Sequence, residues 1–182
     1  MTLTETGFEG LVILEPRVFE DSRGYFMETY NKHSFDKLDI KTNWVQDNQS
    51  RSSRGVIRGL HYQLQPKAQA KLIRVIEGEI YDVALDLRKD SKTFGKWYGL
   101  KLSSDNKKQF LVPHGFAHGF SVLSETATVL YKCDALYSPE MERGISPIDP
   151  SLNIDWKLND EELILSEKDL KNPVFKDSEY NF

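Results

Sequence analysis

At 182 residues the chain is long enough to bury one sizeable core and short for two, so a single domain spanning residues 1–182 is expected. Hydrophobic residues make up 39% and charged residues 29%, too apolar for a disordered chain, yet no apolar run reaches the roughly 18 residues of a transmembrane candidate. A net charge of −4 with no basic block beyond Lys107–Lys108 argues against nucleic acid as a partner, while one cysteine, Cys133, and an N-terminus without a signal pattern suggest the cytoplasm.

In chain order, "LVILEPRVF" begins as an apolar run that Pro16 interrupts, and "DSRGYFMETY" sets a turn at Ser22–Arg23–Gly24 ahead of aromatics that suit a strand; together they read as a hairpin. "NKHSFDKLDI" carries Phe35 and Leu38 at i, i+3, with Asn31 or Ser34 available as cap, and predicts a short helix near 31–38. From "WVQDNQSRS" to residue 137, short β-branched or aromatic runs alternate with turns at Gly78, "KDSKTFG" and "SSDN", the spacing of a sandwich or barrel. The tail "DEELILSEKDLKN" reads as helical again, before a loop at "NPVFKD".

Successive strand residues point to opposite faces, which sorts the polar side chains. Lys71 shares a face with Ile73 and Val75, His118 with Phe116, Phe120 and Val122, and Tyr131 with Val129 and Cys133. In "LHYQ", His61 and Gln63 face together, opposite Leu60 and Tyr62, if the strand runs unbroken past Gly59. Several strands thus send ionisable groups toward one interior, as in a barrel lined to hold a ligand. Taken singly, an inward histidine or tyrosine also fits a core residue with its hydrogen bonds satisfied, whereas a lysine on an apolar face is rare without a partner or a role. A metal site is not expected: the histidines stand at 33, 61, 114 and 118, with no H-x-H pair and no cysteine cluster. On a strand His114 and His118 would lie roughly 13 Å apart.

The segments "DSRGYFMETY", "VQDNQSRSSRGVIRGLHYQ", "AKLIRVIEGEIYDVALDLRKDSKTFGKW", "PHGFAHGF", "YKCDALYSPEMERGI", "DPSLNIDW" and "LSEKD" resemble, in order and over nearly the whole chain, the dTDP-4-dehydrorhamnose 3,5-epimerases. The resemblance implies a mainly β, cupin-type jelly-roll barrel with a few short helices, packed as a homodimer and using neither metal nor other cofactor. It implies a dTDP-4-keto-6-deoxyhexose as substrate, inverted at carbons 3 and 5, with no nucleic acid or membrane partner. By the same resemblance, His61 in "GLHYQ" is the base, Asp169 in "LSEKD" its carboxylate partner, Tyr131 in "LYKC" the acid, and Lys71 the cation that meets the developing oxyanion.

Substrate-binding positions carry over motif by motif. They are Arg23, Phe26 and Glu28 from "SRGYFMET", Gln46 and Asn48 from "VQDN", and Arg58 from "IRGLH". Lys71, His118, Tyr137, Glu142 and Lys168 complete the set. Arg23, Arg58 and Lys168 would serve the diphosphate, Phe26 and Tyr137 the thymine ring. In that family the first strands are exchanged between subunits, so which subunit's site Arg23, Phe26 and Glu28 serve stays open. Two other readings also stay open: an epimerase acting at carbon 3 or carbon 5 only, and a cupin-like sugar-binding module without turnover. The second leaves the joint presence of base, acid and oxyanion charge without a purpose.

Overall fold

Period-2 alternation of apolar residues separates the molecule into layers. The computed structural model describes all of residues 1–182. In chain order its elements begin with strands β1 (Thr2–Glu5), β2 (Val12–Glu15), β3 (Val18–Asp21) and β4 (Gly24–Met27), then helix α1 (Lys32–Asp36). There follow β5 (Gln46–Ser53), β6 (Ile57–Gln63), β7 (Lys71–Glu77), β8 (Glu79–Asp86) and β9 (Trp97–Ser103). The chain continues through β10 (Gln109–Val112), β11 (Phe116–Val122), β12 (Thr126–Cys133) and β13 (Glu142–Gly144), and ends with helix α2 (Glu167–Leu170) and a short turn of 3₁₀ helix. One sheet has the order β1-β2-β10-β7-β12-β5, the other β13-β6-β11-β8-β9.

The two sheets pack face to face. Ile73, Val75, Phe110 and Val129 of the first meet Ile80, Leu102, Phe116 and Phe120 of the second, all nearly inaccessible to solvent. The back of the five-stranded sheet is covered by the C-terminal segment, where Leu60, Tyr62 and Val83 pack on Ile145 and Trp156. The back of the six-stranded sheet is covered by α1, whose Phe35 packs on Leu14, Leu72 and Leu111. Neither sheet closes on itself, so the expected barrel is seen as an open two-sheet sandwich.

The expected helix near 31–38 is shorter, Lys32–Asp36, and Asn31 caps it by accepting from the Ser34 amide at 3.2 Å. Five residues are too few to hold a helix alone. Burial of Phe35, worth about 1.5–3 kcal/mol, fastens it. The hairpin forms as predicted: β3 pairs only with β4, and Phe19, Tyr25 and Phe26 stand half or more exposed away from both sheets.

The tail departs from the expected helix over "DEELILSEKDLKN". It breaks into a 3₁₀ turn at Asp160–Glu162, an extended Ile164, and α2. Ile164 pairs in parallel with Val56, its amide donating to Gly55 O and its carbonyl accepting from Ile57 N, each at 2.9 Å. Backbone groups committed to this pairing are unavailable to a helix. Strand β6 is not regular either. Against β11, His118 pairs with His61 but Phe120 pairs with Arg58, so two residues of β6, Gly59 and Leu60, oppose one of β11, Gly119. That is a β-bulge at Gly59–Leu60. It interrupts the regular alternation expected past Gly59 and turns Arg58 and His61, three positions apart, toward the same cavity, while beyond it His61 and Gln63 face together and Leu60 and Tyr62 lie on the opposite face, as expected.

Candidate active site

Between the sheets lies a cavity of about 490 Å³ whose wall includes Ser50, Arg58, His61, Lys71, His118 and Tyr131, closed on one side by Ile164–Ser166, Lys168 and Asp169 of the tail. A second, of about 250 Å³, adjoins it and is walled by Gln46, Asn48, Gln63, Tyr137 and Glu142. Three side chains belong to both: His61, Lys71 and Tyr131. Sheet order explains their placement. His61 stands on β6 of one sheet, while Lys71 and Tyr131 stand on the neighbouring strands β7 and β12 of the other. An imidazole and a phenol on opposing sheets thus line one cavity.

His61 Nε2 donates to Asp169 Oδ1 at 2.5 Å, a contact spanning 108 positions of sequence. Asp169 is buried, with its Oδ2 accepting from the Ser166 hydroxyl at 2.9 Å and its amide donating to Ser166 Oγ at 3.1 Å, so the cap of α2 also aims the carboxylate. Burial works to raise the Asp169 carboxyl, yet the His61 hydrogen bond and charge, the Ser166 hydroxyl and Lys168 together hold it below the ordinary carboxylate range. With Nε2 bonded, Nδ1 is left as the ring nitrogen able to accept a proton.

Lys71 is partly buried, and its ammonium reaches only the His61 carbonyl oxygen, at 3.4 Å. Burial lowers its proton affinity, against nearby Cys133, Asp82 and Glu142. Burial raises the Tyr131 phenol, reinforced by Cys133 and opposed by Arg58, so the hydroxyl keeps its proton at neutral pH. Arg58 is held by its Nε donating to Ser52 Oγ at 2.9 Å. His118 lies against His61 across the β6–β11 pair, and its Nε2 donates to Asp82 Oδ1 at 2.8 Å.

In the second cavity, Glu142 Oε2 accepts from Lys168 Nζ at 2.6 Å and from the Tyr137 hydroxyl at 2.8 Å. Gln46 Oε1 accepts from the Tyr137 amide at 2.9 Å, and Gln46 Nε2 donates to Asn48 Oδ1 at 3.1 Å. Tyr137 itself is 53% exposed at the rim. His114 is turned elsewhere, paired with Asp134 at 2.8 Å, and no three His, Cys, Asp or Glu side chains converge as metal ligands.

Of the residues expected at the site, eleven line one or both cavities: His61, Tyr131, Asp169, Lys71, Gln46, Asn48, Arg58, His118, Tyr137, Glu142 and Lys168. Arg23, Phe26 and Glu28 do not. Arg23 pairs with Asp21 inside the hairpin, Phe26 is 69% exposed, and Glu28 accepts from Asn31 and Ser34 beside α1. Residues the sequence reading missed are Ser50, Ser52, Ser166 and Asp82. Ser166 carried a signal in the capping pattern S-x-x-D, and Asp82 in its place between Ile80 and Ala84 on an apolar strand face.

Residues 5–177 match the family model described as dTDP-4-dehydrorhamnose 3,5-epimerase. A curated dTDP-4-dehydrorhamnose 3,5-epimerase of Methanothermobacter thermautotrophicus is 51% identical over 178 residues, covering 94% of this chain and 96% of its own. A crystal structure of the Elizabethkingia anophelis enzyme of that name superposes with a TM-score of 0.92 at 54% identity, covering 97% of each chain. The Legionella pneumophila dTDP-6-deoxy-D-glucose-3,5-epimerase, solved in complex with dTDP-4-keto-L-rhamnose, gives a TM-score of 0.92 at 46% identity, over 96% of this chain and 93% of that one.

Proposed function

Because the chain belongs to the dTDP-4-dehydrorhamnose 3,5-epimerase family, we propose that His61 and Tyr131 are the base and acid with which it inverts carbons 3 and 5 of dTDP-4-dehydro-6-deoxy-D-glucose, giving dTDP-4-dehydro-L-rhamnose. The observation that carries these roles is the opposition of His61, backed by Asp169, to Tyr131 and Lys71 across one cavity. A ketone at carbon 4 acidifies the hydrogens on both neighbouring carbons. His61 takes one through Nδ1, and the charge moves to the carbon 4 oxygen as an enolate. The Lys71 ammonium meets that oxygen, where a preorganised charge in a partly desolvated pocket counts far more than in water. Tyr131 returns a proton from the opposite face and recovers one from solvent. Asp169 keeps His61 in one tautomer and stabilises the imidazolium that forms.

Arg58 and Lys168 would hold the diphosphate, Arg58 through a planar fork that suits phosphate oxygens. Gln46, Asn48, Glu142, His118 and the rim residue Tyr137 would contact the nucleotide sugar, Tyr137 stacking on thymine. Arg23 and Phe26 would reach the site of a neighbouring subunit, because the hairpin that bears them projects from its own body, and Glu28, just past the hairpin, would go with them. The reading thus includes a homodimer of single-domain subunits, each a jelly-roll sandwich, working in the cytoplasm without a metal. No helix of the chain is long and apolar enough to cross a membrane.

Incubation with dTDP-4-dehydro-6-deoxy-D-glucose in deuterated water, followed by NMR, tests the reaction. Label entering at both carbons with inverted product is expected. Label at one carbon alone would make this a single-site epimerase, and no label at all would remove the assignment of His61 and Tyr131.

A further inference from the structure

We infer that Asp82 is a positioning residue of this site, fixing the His118 ring in the cavity wall and supplying the negative charge that keeps Lys71 an ammonium. It rests on the reading of Lys71 as the cation that meets the enolate.

Asp82 lies on β8 in the middle of the five-stranded sheet and is fully buried. Its Oδ1 accepts from His118 Nε2, but its Oδ2 is buried without any hydrogen-bond partner. Buried polar atoms are nearly always paired, so an orphaned carboxylate oxygen asks for a compensating charge nearby. Asp82 shares a strand face with Ile80 and Ala84, and Lys71 shares one with Ile73 and Val75; these apolar residues meet in one cluster between the sheets, so Asp82 points into the interior that also receives His118 from β11 and Lys71 from β7 of the opposite sheet. Burial pushes the Asp82 carboxyl upward, and these two groups oppose the rise.

Lys71 needs such a charge. The groups around it are Cys133 on β12, Asp82 on β8 and Glu142 on β13, with His61 and Tyr131 beside it in the cavity wall. Burial raises the Cys133 thiol and keeps it neutral. Glu142 already serves Lys168 and Tyr137. Asp82 keeps an oxygen that is buried without a partner. A purely structural role fits less well, since β8 and β11 are already joined along seven register pairs from Phe116↔Asp86 to Val122↔Ile80 and do not need a side-chain tie.

The test is Asp82→Asn, which keeps the shape and an acceptor for His118 but removes the charge. Lysine Cε resonances of ¹³C-labelled protein are titrated in both forms, Lys71 being the signal missing from Lys71→Arg. The Lys71 midpoint is expected to fall by about one pH unit or more, as for two charges interacting at an effective dielectric near 20. The alkaline limb of kcat should move down with it while the affinity for dTDP is kept. An unchanged Lys71 titration overturns the inference, as does a loss of rate equal at every pH. Should Asp82→Asn fail to fold, Asp82→Ser, which admits a water, must show the same displacement. Failure of both to fold makes Asp82 a folding residue and also overturns it. Full turnover by Lys71→Gln would instead remove the role given to Lys71, and the titration would still decide whether Asp82 sets its charge.

Discussion

At the residue scale, the question is whether Tyr131 transfers a proton or only fills space. Tyr131→Phe keeps the ring and its packing beside Val129 but removes the hydroxyl. If Tyr131 is the acid, epimerised product should fall by about 10²-fold or more, while deuterium still enters on the face His61 serves. Wash-in and product stereochemistry are read on the same sample. Equal loss of both in a folded protein would leave another donor. Asp169 makes a second prediction, about pH. Its folded carboxyl is held below the ordinary value, so the stability it contributes is complete above that value and drains away as pH falls through the lower, folded one. Near neutral pH Asp169→Asn should lose about 1.5–3 kcal/mol, the usual worth of a hydrogen bond to a charged group. Denaturant titrations from pH 6 to pH 2 should show the gap from the native protein closing below about pH 4. A gap constant over that range would mean that the carboxylate charge contributes nothing.

At the scale of elements, the bulge in β6 decides which side chains share the cavity. Gly59 has φ +126°, and a Cβ built there would sit 2.5 Å from Gly119 Cα and 2.7 Å from His118 O. Both obstacles are backbone, so relief requires β6 and β11 to part. Gly59→Ala should therefore lower kcat/KM at least about tenfold and cost about 1–3 kcal/mol, as overpacking usually does. Turnover assays with thermal unfolding check this, and native values in both would show that the strands have slack. The same reasoning marks the tail. Ile164 is tied to the start of β6 and the turn before it by two backbone hydrogen bonds, and Ser166 starts α2 so that Asp169 and Lys168 arrive on adjacent parts of the site.

At the scale of the whole molecule, the hairpin stands apart with Phe19, Tyr25 and Phe26 exposed, and the cation and aromatic it carries miss their own cavity. If two subunits exchange hairpins, defects in body and hairpin should complement each other. Co-expressed His61→Asn and Arg23→Ala chains, each poorly active alone, would form mixed dimers with one intact site. About a quarter of native activity should return for random pairing of equal amounts. Light scattering on the purified sample tests for the dimer independently. A monomer, or no recovery in a demonstrated mixed dimer, would put Arg23 outside the neighbour's site.

Strand alternation made much of this molecule legible in its sequence. It set Lys71 with Ile73 and Val75, His118 with Phe120, and Tyr131 with Val129, because the β period of two depends on neighbours along one strand. The hairpin turn and the Asn31 cap were equally local. Motif resemblance supplied Asp169, which no spacing could have paired with a histidine 108 residues away. Other features had no local cause. Arg58 and His61 share a cavity only because two residues of β6 oppose one of β11 between them, and a bulge cancels the parity on which the sequence reading rests. The tail is extended at Ile164 because β6 offers it hydrogen bonds, which outweigh its helical pattern. Asp82 and Lys71 point into one interior only because the two sheets that carry them pack face to face, a property of the folded chain.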